Sequence, residues 1–177
     1  GCGGIGINAI HGASLAGAAK IIAVDVNEYK LSEAKKFGAT DVIDPTQENL
    51  EKRVRDITEG DGVGVAIDTV GRRETMETAY GLTNNHRGRT ILCGVPNPPN
   101  MKINIDPFPL YYGKRLVGTG GGESDPDVDF SRYAQLYSDG TLNLDEMITH
   151  EFKLAEINKG FEILKSGRGL RVVISME

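Results

Sequence analysis

The chain has 177 residues, of which 39% are hydrophobic, which is enough for one large domain or for a domain with an appendage. The formal net charge of −5, without a long basic cluster, argues against a general nucleic-acid or membrane-surface role, because attraction to phosphates needs a basic face. No apolar run approaches the roughly 18 residues of a membrane span, and no secretory signal pattern opens the sequence. We therefore expect a cytoplasmic protein with no nucleic-acid partner and no membrane partner.

Helical and strand patterns alternate along the first half of the chain. In order, the sequence predicts a helix over 8–19, a strand over 21–24, a helix ended by Gly38, a strand over 41–43, a helix opened by Asp44, Pro45 and Gln47, a strand over 63–67, a helix over 75–82 and a strand over 89–95. Such alternation implies right-handed crossovers. The predicted fold class is α/β, with a doubly wound parallel sheet of the Rossmann type.

The composition of the sequence changes after the predicted strand over 89–95. Five prolines lie between 96 and 109, a short apolar strand follows at 116–117, and three glycines occupy 120–122. Beyond a predicted cap at Asp125 and Pro126, the pattern predicts a helix through Tyr133, a second helix through Phe161 and a closing strand over 170–175.

The chain opens on a glycine-rich loop, Gly1-Cys2-Gly3-Gly4-Ile5-Gly6, with the G-x-G-x-x-G spacing of dinucleotide-binding turns. The N-terminus of the helix that follows offers free N–H groups to phosphates. In a doubly wound sheet a central strand precedes this loop. Because nothing precedes Gly1 in the sequence, we expect the sheet to lack its first strand and to have a gap between its two halves.

Asp25 ends the predicted strand over 21–24, about 20 residues beyond the glycine loop, where an acidic side chain accepts from ribose hydroxyls. The same carboxylate would repel a 2′-phosphate, and Val26 and Asn27 offer no arginine, so NAD is favoured over NADP. Lys30 could reach the ribose as well. The alternative to a ribose-binding role is that Asp25 caps a helix or is a solvated loop residue. For Lys30 the alternative is a solvated side chain on the helix surface.

No constellation in the sequence predicts a catalytic or metal-binding residue. Cys2 and Cys93 lack Cys or His neighbours at ligand spacing, and both are expected to be small hydrophobes. The three histidines have no evident partners, and no nucleophile elbow is present.

Several runs in register resemble the cofactor half of zinc-dependent, medium-chain alcohol dehydrogenases. They cover essentially the whole chain in collinear order and read GCGGIG, KIIAVDVNEYKLSEAKKFGATDVID, AIDTVGRRETM, ILCGVP, ITHEF and INKGFEILKSGRGLRVVI. The resemblance implies an oxidoreductase that transfers a hydride between an alcohol or aldehyde and NAD.

The resemblance also implies site residues. Those implied for the pyrophosphate are Gly1, Gly3, Gly4, Ile5, Gly6 and Arg171, and those for the adenosine ribose are Asp25 and Lys30. Those implied for the nicotinamide side are Val70, Cys93, Gly94, Val95, Thr119 and Gly121. At Thr119 and Gly121 the family often has larger apolar residues, so the glycine-rich segment departs from its pattern.

In this family a zinc ion polarises the alcohol oxygen, and its ligands precede the glycine loop. The resemblance therefore implies zinc in a longer parent protein, no zinc ligand in this chain, and no turnover by this chain alone. It further implies a dinucleotide-binding domain over 1–118, a return segment of the catalytic domain over 119–177, and a homodimer or higher homo-oligomer paired through 114–118. A non-catalytic dinucleotide-binding or interaction module and an adenosylmethionine-dependent methyltransferase are the alternatives.

Overall fold

A computed structural model describes residues 1–176. The helices are α1 (Gly4–Leu15), α2 (Glu28–Lys36), α3 (Leu50–Ile57), α4 (Arg73–Leu82), α5 (Pro126–Ser138) and α6 (Ile157–Ser166). The strands are β1 (Ile22–Val24), β2 (Asp41–Ile43), β3 (Val65–Asp68), β4 (Arg89–Leu92), β5 (Arg115–Gly118), β6 (Ile148–Lys153) and β7 (Arg171–Ser175). From α1 to β4, helices and strands alternate as the sequence predicts.

All strand pairs within these sheets are parallel. Strand β1 pairs with β2, β4 lies between β3 and β5, and β6 pairs with β7. Parallel pairing with helical crossovers confirms the predicted α/β class. In the described residues β1–β2 and β3–β4–β5 are separate sheets.

The chain divides into two compact units. One, here called the middle unit, contains Gly1 and Pro45–Ser124. The other, here called the terminal unit, contains Cys2–Asp44 and the chain from Asp125 onward. Within residues 1–176, no helix combines the length and apolar character needed to cross a membrane.

The core of the terminal unit joins α1, β1 and α2. Its buried residues are Cys2, Ile7, Ile10, Ile21, Ala23, Leu31, Ala34, Phe37, Met147 and Leu170. Fully burying a side chain such as Ile7 contributes about 1.5–3 kcal/mol. This packing fixes the start of α1 beside the end of β1, where the candidate residues of this unit lie.

The interior of the middle unit is more polar. The hydroxyls of Thr83 and Thr90 lie 2.8 Å apart, and both residues are buried. Lys114 is buried too, and its Nζ donates to the Thr83 carbonyl at 2.9 Å and to Asn85 Oδ1 at 3.0 Å. Burial lowers the pKa of Lys114. These bonds attach the start of β5 to the end of α4.

Several elements differ from the sequence prediction. Helix α1 covers Gly4–Leu15 rather than 8–19, because residues of the glycine loop already form its first turn. Strand β4 ends at Leu92 rather than at 95. Helix α3 begins at Leu50, not after Pro45, because the side chain of Asn49 accepts from Lys52 N at 2.8 Å and caps the helix there. Strand β3 begins two residues later than predicted, and Val63 makes only an isolated bridge to Thr83. Strand β6 was not predicted from the sequence pattern.

Candidate cofactor-binding site

The N-terminus of α1 is open and carries no side-chain cap. Gly3 is the N-cap residue, and the first bond of the helix runs from Ile7 N to the Gly3 carbonyl at 2.9 Å. The N–H groups of Gly4, Ile5 and Gly6 therefore have no partner within the helix. A Cβ atom added to Gly3 would meet no other atom within 4 Å, so an anion can approach this backbone closely.

Arg171 lies beside the glycine loop. It opens β7 opposite Ile148 of β6, and its guanidinium Nη2 is 3.9 Å from the position that a Cβ atom on Gly4 would occupy. The Thr149 hydroxyl donates to the Arg171 carbonyl and accepts from Leu170 N, both at 3.1 Å. An exposed guanidinium next to a helix N-terminus can bind a doubly charged pyrophosphate.

The carboxylate of Asp25 is held by two backbone groups. Its Oδ2 accepts from Cys2 N at 2.7 Å and its Oδ1 accepts from Asn27 N at 3.0 Å. A carboxylate has about four acceptor positions, so about two remain for other donors. Asp25 is half-buried at the end of β1, and it can accept from vicinal hydroxyls there.

The thiol of Cys2 is structural. It is 1% exposed, and its Sγ donates to the Val24 carbonyl at 3.6 Å. Burial, with a smaller contribution from the charge of Asp25, raises the pKa of Cys2 to about 11. The side chain is therefore a neutral thiol at physiological pH.

Asn27 supports the candidate site, although the sequence pattern does not single it out for that role. Its Oδ1 accepts from Lys30 N at 3.3 Å and caps α2, while its Nδ2 donates to the Gly167 carbonyl at 3.2 Å. Gly167 has a φ of 71°, and a Cβ atom there would lie 2.6 Å from Asn27 Nδ2 and 4.0 Å from Lys30 Cε. Asn27 thus joins the connection after Asp25 and the start of α2 to the turn before β7.

In the middle unit the structure brings together Gly1, Val70 and the segment from Cys93 to Val95. The Thr69 hydroxyl donates to the Gly1 carbonyl at 3.0 Å, and a Cβ atom on Gly1 would lie 2.6 Å from Val70 Cγ2. Cys93 N and Gly94 N both donate to the Asp68 carbonyl, at 2.8 and 2.9 Å.

The exposed side chains of this group differ in character. Val70 is 41% exposed and Val95 81% exposed, so both offer apolar surface to a planar ring. Burial and the charge of Asp68 raise the pKa of Cys93, which makes its thiol a poor nucleophile.

Thr119 and Gly121 lie beyond β5. Thr119 N donates to the Leu92 carbonyl at 3.0 Å, and Thr119 Oγ1 is buried without a hydrogen-bond partner. Such an atom costs about 1–3 kcal/mol, which a ligand donor or acceptor would recover. Gly121 lies in an exposed 3-10 turn with a φ of 74°, and no atom lies within 4 Å of its Cβ position.

Residues 1–176 contain no group of three or more His, Cys, Asp or Glu side chains placed to hold a metal ion. His11 has a packing role: its Nε2 accepts from Asn143 N at 3.1 Å, and its ring meets Phe37 edge-on at 5.8 Å. The described residues therefore do not fit a zinc site.

Known proteins resemble this chain in sequence and in fold. Alcohol dehydrogenase 1 from Cenchrus americanus is 34% identical over 179 residues, which cover 100% of this chain and 47% of that protein. Benzyl alcohol dehydrogenase from Acinetobacter calcoaceticus has a TM-score of 0.93 and 27% identity, covering 100% of this chain and 48% of that one. A zinc-binding dehydrogenase from Sinorhizobium meliloti bound to NADP has a TM-score of 0.83 and 26% identity, covering 98% and 50%.

The chain thus spans about half the length of the curated relatives it matches. The model of the zinc-binding dehydrogenase family matches residues 4–139, which is more than half of the chain. The chain belongs to the zinc-binding dehydrogenase family, as its motifs predicted.

Proposed function

We propose that this chain is the NAD-binding part of an alcohol dehydrogenase-like oxidoreductase, which transfers a hydride between an alcohol or aldehyde and NAD. The observation that carries the proposal is the surroundings of the open N-terminus of α1 in the terminal unit. Asp25 accepts from Cys2 N at 2.7 Å, just before α1, and Arg171 Nη2 lies beside Gly4. One unit therefore offers groups for a ribose and for a pyrophosphate.

The residues of this chain would bind and orient the cofactor. The N–H groups of Gly4, Ile5 and Gly6 and the guanidinium of Arg171 bind the pyrophosphate, while Asp25 and Lys30 bind the adenosine ribose. Bound NAD supplies the carbon that accepts the hydride. Residues 1–176 do not fit a zinc site, so none of the roles proposed for this chain involves zinc.

The resemblance assigns the nicotinamide to residues of the middle unit. Val70 and Val95 offer apolar surface. The N–H groups of Cys93 and Gly94 already donate to the Asp68 carbonyl, so the carbonyls of this segment are the groups proposed for the carboxamide. The unpartnered hydroxyl of Thr119 is a further candidate for that contact. Gly121 is proposed only from the resemblance.

NAD is the proposed cofactor rather than NADP. A 2′-phosphate would approach the carboxylate of Asp25, whose two backbone bonds prevent it from turning away. The relative from Sinorhizobium meliloti is bound to NADP, so the family does not decide this preference.

Calorimetric titration of the purified chain with NADH, NADPH and S-adenosylmethionine tests the proposal. Calorimetry suits the chain because it has no Trp residue whose fluorescence could report binding. We expect NADH to bind at least about tenfold more tightly than NADPH, and S-adenosylmethionine not to bind. Binding of S-adenosylmethionine alone, or of no dinucleotide, would contradict the proposed function.

The whole protein is proposed to act on a small alcohol or aldehyde in the cytoplasm, as a homodimer or higher homo-oligomer. Support for self-association comes from β5, which among residues 1–176 is an edge strand paired with β4 alone. We also propose that residues 1–118 belong to the dinucleotide-binding domain and 119–177 to the catalytic domain. Light scattering during size-exclusion chromatography measures the oligomeric state.

A further inference from the structure

Asp68 is a buried carboxylate at the end of β3 that the proposed function does not use. It is 3% exposed, and its Oδ2 accepts from Gly71 N at 2.9 Å. A buried carboxylate is costly unless its hydrogen bonds are made. Its position among the loops of the middle unit therefore requires an explanation beyond core packing.

The backbone and the side chain of Asp68 hold different loops. Its carbonyl accepts from Cys93 N and Gly94 N, and its carboxylate fixes the turn that carries Val70. A Cβ atom on Gly94 would lie 2.8 Å from Asp68 Oδ2, so the carboxylate also packs directly against Gly94.

The turn over 69–71 and the segment over 93–95 are in direct backbone contact. Gly71 has a φ of 81°, and a Cβ atom there would overlap the Val95 carbonyl. A Cβ atom on Gly94 would overlap Gly71 N. Because the loops touch at two glycines, no side chain separates them. Asp68 bonds to both loops, and Asn97 N adds a bond to the Gly71 carbonyl at 3.3 Å.

The same turn holds the first glycine. Thr69 donates from its hydroxyl to the Gly1 carbonyl at 3.0 Å, one residue after Asp68. Asp68 is thus the anchor of a short segment whose neighbours reach Gly1 on one side and Val95 on the other.

We infer that Asp68 is a positioning residue for the nicotinamide end of the cofactor, an inference that rests on the proposed function. Its carboxylate keeps the Val70 turn against the backbone of Cys93 and Gly94, so that the surface facing the nicotinamide is formed before the cofactor binds. Preformed surfaces avoid the cost of ordering loops upon binding. Asp68 itself need not touch the cofactor.

The test compares two ligands that differ only in the nicotinamide. Calorimetry measures the affinities of NADH and ADP-ribose for the wild-type chain and for Asp68→Ala, Asp68→Asn and Asp56→Ala. Asp56 is an exposed acid on α3 in the same unit, so it controls for the lost charge. Thermal unfolding of each variant is followed in parallel.

Asp68→Ala is expected to lose about tenfold or more in NADH affinity, while ADP-ribose affinity stays within about twofold. Asp68→Asn retains an acceptor oxygen, but its neutral bond is about half as strong, so its NADH affinity falls about threefold. Asp56→Ala binds both ligands like the wild type.

Equal losses for both ligands would overturn the inference, because a general weakening of the unit affects NADH and ADP-ribose alike. Unchanged NADH affinity in Asp68→Ala would overturn it too. If Asp68→Ala does not fold, Asp68→Asn decides alone, and NADH binding like the wild type overturns the inference. A wild-type chain that binds neither ligand refutes the proposed function, and the inference with it.

Discussion

Replacing Asp25 by alanine should separate the structural and the binding roles of its carboxylate. The variant removes two acceptors, for Cys2 N at 2.7 Å and for Asn27 N at 3.0 Å. Hydrogen bonds to charged groups contribute about 1.5–3 kcal/mol each when buried. Because Asp25 is only half-buried, we expect a total loss of about 2–3 kcal/mol in the free energy of unfolding, or roughly 4–12 °C in Tm.

The binding role is measured by the ratio of the NADPH and NADH affinities. A unit charge about 5 Å from another, at an effective dielectric constant of about 20, interacts by roughly 3 kcal/mol before screening by salt. Asp25→Ala should therefore shift the ratio towards NADPH by at least about tenfold, as measured by calorimetry. Glu28→Ala is the matched control, because Glu28 is an exposed acid three residues after Asp25, at the start of α2; it should change neither the unfolding free energy nor the affinity ratio by much.

A folded Asp25→Ala variant with the wild-type ratio would refute the assignment of Asp25 to the ribose. A variant with a shifted ratio but unchanged Tm would instead refute the structural part of the argument, because the two backbone donors would then have found other partners.

Three further predictions concern the same unit. Gly3→Ala should leave Tm within about 3 °C, because its Cβ meets no atom within 4 Å, but should weaken NADH binding about tenfold by occupying the approach to the backbone. Arg171→Ala should weaken ADP-ribose and NADH equally, by about tenfold, with Arg171→Lys intermediate; a loss confined to NADH would contradict the pyrophosphate role. Burial raises the pKa of Cys2 from 9.0 to about 11, so the unfolded thiol ionises first and stability falls as pH rises between those values. Urea unfolding measures this loss as the fall in the free energy of unfolding with rising pH. The fall should be about 2 kcal/mol smaller in Cys2→Ala than in the wild type, and equal pH dependence in the two proteins would contradict the argument.

The parallel strands could be predicted because the apolar residues within each short segment already indicate a buried strand. Strand β1 is a run of apolar residues between a helix and a turn, and such a run is typical of a strand covered on both faces. Strand β6 was missed because its sequence, ITHEFK, mixes polar and apolar residues, and its pairing with β7 decides its conformation. The start of α3 was misplaced because Asp44 and Asn49 are both good N-cap residues, and the pattern around Pro45 favoured the wrong one.

The supporting residues of the site could not be predicted, because their partners are distant in sequence. Asn27 donates to Gly167, and Thr69 donates to Gly1, across 140 and 68 residues. The partners are backbone carbonyls, which leave no signature in the side-chain sequence. Asp68 has a nearer partner, but nothing in the AIDTV run distinguishes a buried acid from a solvated one.

The glycines of the candidate site follow from two different physical requirements, which a sequence motif cannot separate. At Gly71 and Gly94 a Cβ atom would overlap backbone of the facing loop, so substitution should damage the folded state whatever ligand is present. At Gly3 the space is empty and φ is −72°, a value that any residue adopts, so neither packing nor backbone conformation requires glycine there. A glycine that the fold does not need, at the open N-terminus of α1, is best explained by a ligand that needs the space. Alanine substitutions at Gly3 and Gly94 should therefore have opposite effects. Gly3→Ala should lower the affinity for NADH but not the free energy of unfolding, whereas Gly94→Ala should lower the free energy of unfolding.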